Sequence, residues 1–197
     1  MRPLVVLASA SPRRAHILES LGVAYRVSVS AVSEDLRPGE APAAAAERLA
    51  RAKAAAVASR EDLPVLGADT IVVCDEAILG KPATDADAAA MLRRLSGRTH
   101  EVVTGVCLMS RGETRSGVEQ TAVTFAALSD ADIAWYVATG EPRDKAGAYH
   151  VDGRGALFIT RIDGSPSNVA GLPIGLLRRL AREAKVDLGF PDRGDLD

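Results

Sequence analysis

The chain has 197 residues, 47% of them hydrophobic, with 24 basic and 26 acidic side chains and a formal net charge of −2. That size and composition fit one soluble domain with a sizeable core, with residues from about 187 onward expected to fray as a tail. The near balance of charge gives no electrostatic case for nucleic acid or an anionic membrane, and no apolar stretch approaches the roughly 20 residues that span a bilayer. Leu4–Leu7 reads as a short buried strand. Ser11 then stands at an N-cap position, Pro12 at the first helical position and Gly22 as a C′ stop, with Ile17, Leu18 and Leu21 on one helix face. Val23–Val29 alternates as a second strand, and an acidic, turn-rich loop follows through Ser33-Glu34-Asp35 and Pro38-Gly39-Glu40. The alanine-rich stretch Pro42–Ser59 predicts a helix, Pro64–Val73 a strand, and Asp75-Glu76 the turn into a return strand ending at Leu79. Thr84 with Asp87 opens a helix through Leu95, and Gly97 stops it. His100–Ser110 and Glu113–Ala127 form a hairpin about Arg111-Gly112, and Ser129 with Asp132 caps a helix through Val137. Asp144–Gly155 is too glycine-rich for an element interior and reads as a binding loop. A strand over Ala156–Ile162 and a last helix over Pro173–Ala184 complete an α/β fold with a mixed sheet.

The strand–loop–helix over residues 4–22 places free backbone N–H groups, the hydroxyls of Ser9 and Ser11 and the guanidiniums of Arg13 and Arg14 together. That combination favours a phosphate, although a capped helix with two solvated arginines is the plainer alternative. Asp69 lies between the apolar runs Val65-Leu66 and Ile71-Val72-Val73, where an uncompensated carboxylate is costly, so pairing, metal binding or catalysis is expected of it. The chain has 20 Arg but only four Lys, so a retained lysine such as Lys53 or Lys81 marks a place suited to a compact point charge. Asp144-Lys145 reads as a local ion pair at a loop mouth. P-loop, dinucleotide-fingerprint, zinc-spacing and Gly-x-Ser-x-Gly patterns are all absent from the sequence. An anion cradle with acids points to phosphoryl chemistry on a polyphosphate, with Mg²⁺ or Mn²⁺ as the natural cation. Cys74 and Cys107 sit in apolar contexts as small hydrophobes, and the first strand begins without a signal-like segment, so the cytoplasm is the expected compartment.

The stretches Leu7–Arg14, Gly67–Val72, Gly80-Lys81-Pro82, Ser96–Val102, Asp144–Tyr149 and Gly164–Pro173 together resemble the Maf family of nucleoside triphosphate pyrophosphatases, in order and from about residue 4 to the last helix. The resemblance implies a two-lobed fold like that of inosine triphosphate pyrophosphatases. It also implies divalent-metal-dependent hydrolysis between the α- and β-phosphates. On that resemblance Asp69 accepts the proton of water and Glu34 joins it near the metal. Ser9, Arg14, Lys53 and Lys81 face the phosphates, while Arg13, Thr70 and Asp152 take part in choosing the base. Members of the dTTP/UTP-hydrolysing branch carry Gln where this chain has Asp152 within Tyr149-His150-Val151-Asp152-Gly153. An ionised Asp only accepts hydrogen bonds, so a donor-rich edge such as a methylated guanine is an alternative to dTTP or UTP. A nucleotide-binding regulator of cell division with little turnover is the alternative from another class. A nucleoside triphosphate is the expected partner, and a homodimer is left open.

Overall fold

A computed structural model describes residues 2–190. Seven strands form one mixed sheet: β1 Val5–Leu7, β2 Tyr25–Val27, β3 Val65–Cys74, β4 Ala77–Leu79, β5 Thr99–Ser110, β6 Glu113–Phe125 and β7 Ile159–Asp163. Their order is β2-β1-β3-β5-β6-β7, with β4 paired to β3. β1 is parallel to β2 and β3, and all other pairs are antiparallel. The helices are α1 Pro12–Ser20, α2 Pro42–Ala58, α3 Asp85–Leu95, α4 Asp130–Ala138, the short α5 Pro166–Val169 and α6 Ile174–Glu183. Two single-turn 3₁₀ segments, Ala146–Ala148 and Arg154–Phe158, lie between α4 and β7.

The two faces of the sheet are covered differently. On one face Ala45, Ala46, Ala50, Ala54 and Val57 of α2 pack on Val6, Val65, Ile71, Val103 and Cys107. The other carries the larger core, in which Leu7, Leu66, Ala68, Val102 and Val106 meet residues of α1, α3, α4 and α6. Successive residues of a strand point to opposite faces, so Asp69 projects toward α2 and Thr70 toward the larger core. α2 comes unusually close because two strand residues beneath it lack a side chain. A Cβ on Gly67 would lie 2.3 Å from the Ala50 carbonyl oxygen, and one on Gly105 would lie 2.3 Å from that of Ala46. Gly105 is paired directly with Asp69 in the β3–β5 ladder. β1 pairs with β3 only as far as Leu7↔Leu66, so β3 runs on past the point where β1 leaves for α1. That divergence opens a crevice at the carboxyl end of β1, where open α/β sheets take their ligands.

Three expectations need correction. The second strand spans only Tyr25–Val27, because β1 itself ends at Leu7 and offers no further ladder partner. The stretch expected as strand from Ala156 begins as the 3₁₀ segment over Arg154–Phe158, and β7 starts at Ile159. The backbone N–H groups of Arg154 and Gly155 are taken by the Glu141 carboxylate instead of a neighbouring strand. Residues 187–190, expected to fray, are packed: Leu188 is 2% exposed and Phe190 lies against the core, while the rest of the expected tail, 191–197, lies outside the described residues. Both capping boxes, Thr84 with Asp87 and Ser129 with Asp132, are formed.

Candidate active site

The site begins with the tight connection from β1 to α1. Ser11 occupies the N-cap position by its backbone, but its hydroxyl makes no capping bond; its N–H donates to Ser9 Oγ at 3.2 Å instead. α1 ends as a Schellman motif, in which Val23 N–H donates to Leu18 O and Gly22 N–H to Glu19 O, with Gly22 at φ 70°. Arg14 is 7% exposed. Its Nε donates to Gly171 O at 2.8 Å, Nη1 to Ser9 Oγ at 3.0 Å and Nη2 to Thr70 Oγ1 at 3.0 Å. Three of its five N–H groups are thereby committed and two remain for an anion. Thr104 Oγ1 donates to Asn168 O at 3.1 Å, so the 3.0 Å contact between Thr70 and Thr104 is donated by Thr70. A one-directional chain therefore runs from Arg14 through Thr70 and Thr104 to the Asn168 carbonyl. Asn168 is fully buried and donates through Nδ2 to Val102 O and Thr121 Oγ1, each at 2.9 Å, which pins the turn that offers Gly171 O to Arg14. Burial pushes the Arg14 guanidinium below its ordinary pKa, against the opposing pull of Asp69 and Glu34.

On the α2 face, Lys53 Nζ donates to Asp69 Oδ1 and to Glu34 Oε1, both at 2.6 Å. Lys53 and Asp69 are nearly enclosed, with side chains 8% and 9% exposed, whereas the Glu34 side chain is 50% exposed. The close approach of α2 at Gly67 and Gly105 is what brings the Lys53 ammonium down onto the strand. Lys81, just past β4, places Nζ 3.7 Å from Glu34 Oε2. Partial burial raises the Glu34 carboxyl, but the Lys53 hydrogen bond and the charges of Lys53, Lys81 and Arg14 outweigh it and leave the pKa lowered. The loop carrying Glu34 is held by Arg48, which pairs with Glu40 at 2.6 Å and donates to Asp35 O at 3.2 Å.

These groups surround a cavity of about 320 Å³. Every site residue expected from the sequence lines it except Asp152: Ser9, Ser11, Arg13, Arg14, Glu34, Lys53, Asp69, Thr70 and Lys81 are all present. Asp152 is exposed, and its charge acts on Arg13 from beside the cavity. Burial lowers the pKa of Arg13, with Asp144 and then Asp152 opposing the shift. Thr70, grouped with Arg13 and Asp152 by the resemblance, has its hydroxyl committed to Arg14 and Thr104. The expected Asp144–Lys145 ion pair is present at 2.8 Å, and Asp144 also lines the cavity, as the first residue of the stretch read as a binding loop. Thr104 and Asn168 were likewise not expected as supports of Arg14; the one available signal was that Asn168 is the chain's single Asn. Among the described residues no group of three or more His, Cys, Asp or Glu side chains could hold a metal. Glu34 and Asp69 are the two carboxylates gathered by Lys53 at the cavity wall, and carboxylate oxygen is the donor type that a hard cation such as Mg²⁺ takes.

A two-sided cleft with the buried cations Arg14 and Lys53 and the buried carboxylate of Asp69, at the carboxyl end of a parallel strand pair, is suited to an anionic ligand. A family model described as Maf-like protein matches residues 4–184, and the chain belongs to that family. It is 50% identical over 184 residues to the dTTP/UTP pyrophosphatase of Koribacter versatilis (strain Ellin345), covering 92% of this chain and 95% of the relative. It is 53% identical over 175 residues to the dTTP/UTP pyrophosphatase of Geobacter sulfurreducens, covering 86% and 91%. A solved structure of a HAM1 protein from Coxiella burnetii overlaps 64% of this chain and 75% of its own, at 17% identity and a TM-score of 0.44.

Proposed function

We propose that this chain is a nucleoside triphosphate pyrophosphatase of the dTTP/UTP type, releasing a nucleoside monophosphate and pyrophosphate. The observation that carries the proposal is the nearly enclosed Asp69–Lys53 pair, joined by Glu34 at the cavity mouth and facing the Arg13–Arg14 loop across one cavity, in a chain half identical to relatives named for that activity. The two uncommitted N–H groups of Arg14 and the ammonium of Lys81 neutralise the polyphosphate, and Ser9 and the start of α1 add neutral donors. Arg13, on whose guanidinium the charges of Asp144 and Asp152 act, is left for the nucleoside.

Water attacks phosphorus at the α–β linkage. As the new P–O bond forms, its proton passes to the Asp69 carboxylate; the bridging P–O bond breaks and its electron pair leaves on pyrophosphate. Carboxylates are weak bases, so proton transfer to Asp69 is helped when the attacking water is acidified. A divalent cation held by Glu34 and Asp69 would supply that acidification. Lys53 fixes the orientation of both carboxylates through its two 2.6 Å hydrogen bonds. Cytoplasmic location belongs to the same proposal: Cys74 and Cys107 are free and buried, which suits a reducing compartment.

The test is product analysis with dTTP, UTP, dCTP, dATP and dGTP in the presence of Mg²⁺ or Mn²⁺, and again after chelation. Pyrophosphate is expected, fastest from dTTP and UTP, and is expected to be lost with chelator and with Asp69→Asn. Orthophosphate as the first product, or no turnover of any triphosphate, overturns the proposal.

A further inference from the structure

Glu141 lies just beyond the end of α4 and belongs neither to the cavity nor to the expected site. Its side chain is 18% exposed. Oε1 accepts the backbone N–H of Arg154 at 3.0 Å and Oε2 that of Gly155 at 3.1 Å, while His150 Nδ1 stands 3.6 Å from Oε1. Tyr136, on α4 and fully buried, accepts the backbone N–H of His150 at 3.0 Å through its hydroxyl. Burial foremost, with the Glu141 carboxylate beside it, keeps that phenol protonated well above the usual tyrosine range. The fit is close: a Cβ on Gly153 would fall 2.0 Å from Glu141 Oε1, and one on Gly155 would fall 2.7 Å from Tyr136 Oη. Segment 150–155 is therefore wrapped around two side chains of the α4 region and fastened at both ends. The middle of that segment is Asp152, whose charge acts on Arg13 at the edge of the cavity.

A loop that only had to be stable would need no fixed relation between residue 152 and Arg13. Here both ends of a six-residue segment are held by polar side chains of α4 and of the turn just after it, and the exposed residue between them carries a charge that acts on the cavity-lining Arg13 guanidinium. We propose that Glu141 and Tyr136 are positioning residues for nucleotide selection, holding segment 150–155 so that Asp152 meets the base at the Arg13 side of the cleft. This rests on the pyrophosphatase reading and adds to it the device that sets base discrimination.

Two variants test it. Glu141→Gln keeps the shape but leaves one of the Arg154 and Gly155 N–H groups without an acceptor, and Tyr136→Phe removes the acceptor for His150. For each, kcat/KM is measured with dTTP, UTP, dCTP and dGTP, together with competitive inhibition by inorganic tripolyphosphate, which reports the phosphate grip alone. The ratio between the best and poorest triphosphate is expected to fall about tenfold or more, with tripolyphosphate inhibition unchanged within about twofold. Amide exchange at Arg154 and Gly155 is expected to accelerate in Glu141→Gln. An unchanged ratio in a variant whose segment has loosened overturns the inference, as does a uniform loss that includes tripolyphosphate inhibition. If Glu141→Gln does not fold, Tyr136→Phe decides alone. Absence of turnover in the wild type is a different failure and overturns the reading on which the inference stands.

Discussion

Replacing Lys53 with Met tests the electrostatics of the site most directly. The substitution preserves the length and packing of the side chain on α2 and removes only the ammonium. Glu34, with its side chain 50% exposed, is hydrated when its partner goes, and its share of the loss is about 0–1 kcal/mol. Asp69, with its side chain 9% exposed, is left as a buried charge without its cation, a change that typically costs about 3–5 kcal/mol. The second term dominates. With a urea m-value of about 2–3 kcal/mol/M, the unfolding midpoint is expected to drop by about 1–3 M. Asp69→Asn keeps the Lys53–Glu34 pair and is expected to cost about 1–2 kcal/mol while reducing turnover by at least about a hundredfold. In the double variant neither charge remains, so most of the Lys53→Met loss returns, with a coupling of about 2 kcal/mol or more. Urea unfolding of the four proteins at pH 7 measures the cycle. A Lys53→Met loss below about 1 kcal/mol, or additivity within about 0.5 kcal/mol, would refute the claim that Lys53 compensates a buried Asp69 charge.

The approach of α2 makes Gly105→Ala costly. Its new Cβ would meet the Ala46 carbonyl oxygen at 2.3 Å, so a loss of about 3 kcal/mol is expected by urea unfolding, with reduced turnover in the folded fraction as Lys53 is lifted from Asp69. Thr104→Val is nearly isosteric but breaks the hydroxyl chain from Arg14 to the Asn168 carbonyl. Steady-state kinetics should show KM for the triphosphate raised about fivefold to tenfold with kcat less affected, and Thr104→Ser should restore it. Burial of His100 lowers its pKa to about 4 from the ordinary imidazole value of 6.5. The folded state thus binds fewer protons than the unfolded one, so this contribution is fully present above pH 6.5 and is lost as pH falls toward about 4, by about 3 kcal/mol in all. Urea midpoints at pH 4.5 and 7.5 should differ less in His100→Gln than in the wild type, and an equal pH dependence in the two would exclude His100 as the source.

What the sequence determined by itself was local. The Pro start and Gly stop of α1, the capping boxes at Thr84 and Ser129 and the turn of the hairpin about Arg111-Gly112 all rest on residues a few positions apart, which spacing and residue type disclose. Asp69 was conspicuous because burial of a carboxylate between apolar strand residues is costly wherever the strand goes. Where the sequence reading failed locally, a distant group had intervened: the amides of Arg154 and Gly155 follow Glu141 and not a strand partner. The relations that make a site were decided only by the tertiary structure. Arg14 meets Gly171 across 157 positions of chain, and of the stretch read as a binding loop Asp144 and Ala146 line the cavity while Asp152 does not. Asp69 and Thr70 are adjacent in sequence yet serve opposite faces of the sheet, one paired with Lys53 and the other with Arg14. Which partner each would find depended on how closely α2 could settle over Gly67 and Gly105, a matter of backbone contact between elements that no local pattern expresses.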